Sequence, residues 1–118
     1  MADHAAPAAA PVPGDEDAKL ATLARATRAR TQAPTGAAVR DLDGRTYAAA
    51  DVALPSLRLG ALELAVAMAV SSGARGLEAA LVCADALPDV AVVRDLGGDG
   101  VPVFLADARG SVTDGVLT

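Results

Sequence analysis

The apolar positions of the chain cluster most densely between Leu57 and Gly73, in LRLGALELAVAMAVSSG, where Glu63 is the one charge from Leu59 to Val70. A helix without a repeating polar face is either buried on several sides or crosses a membrane. The apolar run here is about a dozen residues, well short of the ~20 needed to span a bilayer. The pattern predicts a central packed helix over 57–73, touching a sheet on one side and another subunit on the other. Pro55 and Ser56 open it, with Ser56 as N-cap, and Gly73 closes it.

Before this helix, Leu20, Leu23, Ala24 and Thr27 recur at a spacing of three to four residues, which predicts a helix with one buried face. Asp15, Glu16 and Asp17 supply negative charge at its start, Arg25, Arg28 and Arg30 gather on a solvent-facing side toward its end, and Pro34 stops it. In Gly36–Val52 two short apolar runs flank Asp43-Gly44, a strong β-hairpin signal. The strands are alanine-rich and weak by propensity, so packing on both faces must hold them. The pair Asp41 and Asp43 lacks the spaced ligands of a calcium loop and reads as turn chemistry. After the central helix, Leu77–Ala84 and Val101–Ala106 read as buried strands and Pro88–Leu96 as a helix with Pro88 in its first turn. Gly97-Gly98-Asp99-Gly100 is a turn that ends a helix, with no Lys-Ser/Thr after it, and so no phosphate loop. Asp107–Gly110 is a turn, and 111–118 is too short for another long element. Residues 1–14, rich in Ala and Pro, read as a disordered tail, leaving 15–118 as a single domain. The order helix, hairpin, helix, strand, helix, strand predicts an α/β fold with helices on both faces of a mixed sheet and its later strands parallel through right-handed crossovers.

Composition narrows the function. The chain is 53% apolar but only 2% aromatic, and its net charge is −5. An acidic chain without basic clusters or stacking platforms is a poor partner for nucleic acid or an anionic membrane. The single cysteine, Cys83, sits in an apolar run and reads as a small buried hydrophobe, not as a nucleophile, and a reducing cytoplasm is its natural compartment. The only histidine, His4, lies in the tail, so no Ser-His-Asp triad has an ordered base.

Several local motifs, in this order, resemble the cytidine deaminases, zinc enzymes that act on free nucleosides. Ala33-Pro34, Gly36-Ala37-Ala38, Asp43-Gly44 and Tyr47 are similar to that family's early Ala-Pro, Gly-Ala-Ala strand, Asp-Gly turn and aromatic strand. Gly60-Ala61-Leu62 through Ser71-Ser72-Gly73 resembles its central Cys-Ala-Glu helix, and Val101-Pro102-Val103 with Gly110 its late strand and turn. The resemblance runs from about Lys19 to Gly110 and implies a three-layer α/β/α domain and a dimer or tetramer.

The same resemblance locates the chemistry. Such enzymes hold zinc with three Cys or His/Cys ligands, and a nearby Glu shuttles protons. Here the first ligand position falls on Gly60, the glutamate position on Leu62, and the Cys-x-x-Cys pair near Ala86 and Asp89. The substrate-reading Asn-x-Glu pair corresponds to Asp51 and Ala53, so Asp51 either holds a sugar hydroxyl or simply ends a strand. Glu63 is one residue past the catalytic slot, turned by roughly 100°. Asp85 and Asp89 alone are hard oxygen donors that suit zinc poorly. The expectation is a domain without metal or other cofactor: a pseudoenzyme acting as an oligomeric binding or scaffolding module for an unknown protein partner. The alternatives are a nucleoside-binding regulator with a metal-free pocket, and a hydrolase of the deaminase type working through an unrecognised site.

Overall fold

A computed structural model of the chain describes residues 10–118. His4 and most of the Ala/Pro-rich tail lie outside the described residues. Helix α1 spans Asp17–Thr31 and buries Leu20, Ala21, Ala24 and Thr27, the face set by the helical spacing. Asp17 at its start is buried and meets Arg40 at 3.0 Å; Arg40 also reaches Glu78 at 3.0 Å. Burial opposes the Arg40 charge, but hydrogen bonds to Asp17 and Glu78 outweigh it and raise its pKa.

Strands β1 (Gly36–Asp41) and β2 (Thr46–Ala50) pair antiparallel, Ala38 opposite Ala48, around the expected Asp43-Gly44 turn. Gly44 has φ +83°, a conformation that favours glycine. Asp41 is the staple of this turn. It is 2% exposed, and its carboxylate accepts hydrogen bonds from the Asp43 and Arg45 backbone N–H groups, each at 2.9 Å, and from the Tyr47 hydroxyl at 2.8 Å. Burial alone raises its pKa, but these bonds and the Arg45 charge outweigh it and hold the carboxyl below its ordinary 3.8.

The next segment corrects the sequence reading. Leu57–Leu59 is not helical: it forms strand β4, antiparallel to β3 (Val52–Leu54), in a separate two-stranded hairpin. Pro55 and Ser56 make the turn between them, so Ser56 is not an N-cap. Helix α2 spans only Ala61–Ser71, with Gly60 at its N-cap. It is not buried all round either. Ala61, Leu62, Ala65, Val66 and Ala69 face the core at helical spacing, whereas Ala67, Met68 and Val70 are exposed. Alanine on both sides of the helix had concealed which side packs.

Strand β5 (Leu77–Cys83) pairs antiparallel with β1 and parallel with β6 (Pro102–Ala106). Helix α3 (Ala91–Gly97) lies between β5 and β6 in sequence. Pro88 precedes this helix by three residues and is not in its first turn. Asp89 instead stands ahead of it, accepting a hydrogen bond from the Ala91 N–H at 2.9 Å. The C-terminal stretch, expected to be too short for an element, forms edge strand β7 (Val112–Leu117), antiparallel to β6. The main sheet therefore runs β2-β1-β5-β6-β7, with one parallel pair.

Strand alternation sends successive side chains to opposite faces and divides the core in two. Along β5, Ala80 and Val82 join Leu62, Ala65 and Val66 of α2 and Val93 of α3 on one face. Ala79, Leu81 and Cys83 join Leu20 and Ala24 of α1, with Phe104, on the other. This is the expected three-layer arrangement, with the alanine strands packed from both sides. Among the described residues, no helix is long and apolar enough to cross a membrane.

Candidate functional site

A cleft of about 590 Å³ opens at the N-terminal end of α2, where that helix meets the β5–α3 connection. Its lining includes Gly60 and Leu62 from the start of α2, Ala86 and Asp89 from the connection, and Asp51 from the end of the hairpin. Four positions that sequence reasoning placed in a vestigial metal site, and one of the two in its ligand pocket, thus come together in space. Ala53 does not join them. It lies on β3, exposed and paired with Arg58 of β4, because an extended strand carries residue 53 away from residue 51.

Leu62 is 3% exposed and belongs to the α2-side core, packed with Val66 and Val82. Gly60 brings no side chain, but its backbone N–H donates to Glu63 Oε1 at 2.8 Å. Glu63 thus folds back to cap its own helix, satisfying a donor that the helix leaves unpaired. A Cβ at position 60 would lie 3.0 Å from that Glu63 oxygen, the movable end of a flexible side chain. A side chain here would fit only if the Glu63 carboxylate gave way by a few tenths of an ångström.

Asp51 acts as a tie. One carboxylate oxygen accepts from the Thr35 N–H and hydroxyl, both at 2.7 Å, and the other from the Ala61 N–H at 3.1 Å. It fastens the entry to β1 onto the first residue of α2, a role closer to a helix cap than to a free ligand-binding carboxylate. Thr35, Pro88, Val92 and Asp95 also line the cleft and were not singled out from sequence as site residues. Their spacing carried no motif that could have found them.

A zinc deaminase site requires three thiolate or imidazole donors around the metal. At the three expected ligand positions the cleft offers a glycine, an alanine and, in Asp89, a carboxylate already bonded to the α3 backbone. Of its other carboxylates, Asp51 and Glu63 are likewise bonded to backbone N–H groups. Among the described residues no three His, Cys, Asp or Glu side chains converge. Cys83 is one position along β5 from Val82, which lines the cleft, and so points through the sheet to the α1 side. The donor set does not fit zinc. Cys83 is buried as its apolar run predicts, and its sulfur also has a cationic neighbour, accepting a hydrogen bond from Arg28 Nη1 at 3.6 Å while donating to the Asp107 carbonyl at 3.1 Å.

A family model described as cytidine deaminase-like matches residues 13–110. Among solved structures, the fold is similar to the cytidine deaminase of Burkholderia pseudomallei, at 24% identity and TM-score 0.69 over 81% of this chain and 88% of that one. It is similar also to the cytidine deaminase of Mycobacterium leprae, at 20% identity and TM-score 0.65 over 86% and 94%. The Mycobacterium tuberculosis enzyme gives 22% and 0.64 over 77% and 85%. At these identities the likeness is one of fold. No curated protein sequence matches significantly.

Proposed function

We propose that this chain, which belongs to the cytidine deaminase-like family, is a catalytically silent member that works as an oligomeric binding or scaffolding module. The observation that carries this reading is Leu62. Where a carboxylate would move protons, a leucine is packed into the core beside α2 and β5. Burying such a side chain stabilises a fold by ~1.5–3 kcal/mol, whereas an unpaired charge buried there is costly. Gly60, Ala86 and Asp89 support the same reading, because their donors do not make a zinc site.

The binding role rests on the outward face of α2. Met68 is 37% and Val70 53% exposed, and Leu54 and Leu57 of the β3–β4 hairpin are exposed as well. Apolar surface of this kind, gathered on one helix, marks an interaction site more often than a solvated face. Cytidine offered to the purified protein is expected to keep its ultraviolet absorbance, and light scattering after size exclusion to give a dimer or larger at micromolar concentration. Steady turnover, or a monomer throughout, contradicts the proposal. The open cleft favours a second reading, a nucleoside-binding regulator, since its volume is in the range of small-molecule sites. A melting temperature raised by nucleosides would support that reading, and an unchanged one would remove it.

A further inference from the structure

We propose a second site, on the α1 side of the sheet, that takes a phosphate-bearing anion between Arg25 and Arg28. The two arginines are three residues apart and share one helical face. With Ala29, Gln32, Ala33 and Ala108 they line a cavity of about 360 Å³ against the turn between β6 and β7. No carboxylate lines it, although the chain has 15 Asp and Glu against 10 Lys and Arg. Among the described residues neither arginine forms an ion pair; those pairs are made by Arg40 and Arg94.

The Arg28 guanidinium is held in place, while the exposed Arg25 lines the same cavity. Arg28 donates to the Cys83 sulfur, which is itself fixed by the Asp107 carbonyl. Arg25 lies along Gly110, where a Cβ would meet its Cδ at 3.4 Å and its Nε at 3.5 Å. Those are ordinary packing distances; it is the φ of +86° at Gly110 that favours glycine in this turn. Each guanidinium carries five N–H donors, and the bond to Cys83 uses only one. Guanidinium forks suit the oxygens of a phosphate dianion, and Arg28, already held by Cys83, loses little freedom on binding. Gln32, held in the left-handed region at φ 55°, adds an amide to the lining. Arg28 sits in the last helical turn, where a cation also offsets the macrodipole, but Arg25, a turn earlier, has no such role. The alanine walls leave space for a sugar-sized group on the phosphate.

This site lies across the sheet from the α2 cleft and does not depend on how that cleft is read. Calorimetric titration of the full chain at low ionic strength, with inorganic phosphate, ribose 5-phosphate and ribose, tests it. Both phosphates are expected to bind at millimolar concentration or below, and ribose to give no heat. Tighter binding of ribose 5-phosphate would assign the site to a phosphomonoester, and tighter binding of inorganic phosphate to the free ion. Arg25→Gln and Arg28→Gln should each weaken binding by about tenfold or more, while Arg75→Gln, removing the same charge from a distant loop, should not. Should Arg28→Gln fail to fold through loss of the Cys83 contact, Arg25→Gln decides alone. No heat from either phosphate, or equal weakening by Arg75→Gln, overturns the proposal.

Discussion

Helices α1 and α2 pack against opposite faces of one sheet by the same rule, yet their outward faces differ in kind. α1 turns Lys19, Arg25 and Arg30 to solvent, whereas α2 turns out Ala67, Met68 and Val70. Both inner faces are built largely of alanine and leucine, so inner packing does not distinguish them. The difference lies in what each surface can do. An apolar outer face is costly in water and is relieved by a partner, while a basic one attracts anions.

The contrast can be tested first inside α2. Leu62→Ala should cost about 3 kcal/mol, the usual loss when a leucine is truncated in a packed core, read by urea denaturation. A loss near zero would mean that Leu62 is not core and would remove the main support for a silent cleft. On the α1 side the corresponding contact is Gly36, where an added Cβ would collide with the Ala24 carbonyl oxygen and approach Arg28 Cβ to 2.8 Å. Gly36→Ala should therefore cost roughly 1–3 kcal/mol by overpacking, and an unchanged denaturation midpoint would show that α1 docks loosely.

Met68→Glu should change monomer stability by less than about 0.5 kcal/mol, as surface substitutions usually do, yet shift the protein from oligomer to monomer in light scattering. A large loss of stability with assembly intact would make the outer face of α2 structural. The smallest effect belongs to the hairpin that both helices cover. Asp41 has a folded-state pKa below 3.8, so its contribution is present above that value and is lost as pH falls through the folded pKa. Tyr47, raised above 10.0 chiefly by its bond to Asp41, loses its contribution as pH rises through the folded value. Melting curves of Tyr47→Phe should be flatter than those of the parent at both extremes; identical profiles would place the pH dependence elsewhere.

Much of this fold was legible because turn chemistry and burial spoke together. Asp43-Gly44 fixed the hairpin, and the unbroken apolar runs around Leu81 and Val103 marked the central strands. The start of α2 was obscured because Leu57-Arg58-Leu59 continues its apolar run, and periodicity alone does not separate a three-residue strand from a first helical turn. Strand β7 was missed because Thr113, Asp114 and Gly115 break its pattern and its pairing with β6 shifts register at Ala106. The gathering of Gly60, Leu62, Ala86, Asp89 and Asp51 came from family resemblance, as nothing in their spacing brings residues 60 and 89 together. The tie made by Asp51 to Thr35 and Ala61 was hidden for the same reason: a hydrogen bond between loops leaves no period in a sequence.

The most direct measurement is elemental analysis of the full chain, folded in the presence of zinc and then dialysed. The account predicts zinc far below one ion per chain, with melting unaffected by added metal. Stoichiometric zinc that survives dialysis and is lost on substituting Asp89 would contradict it.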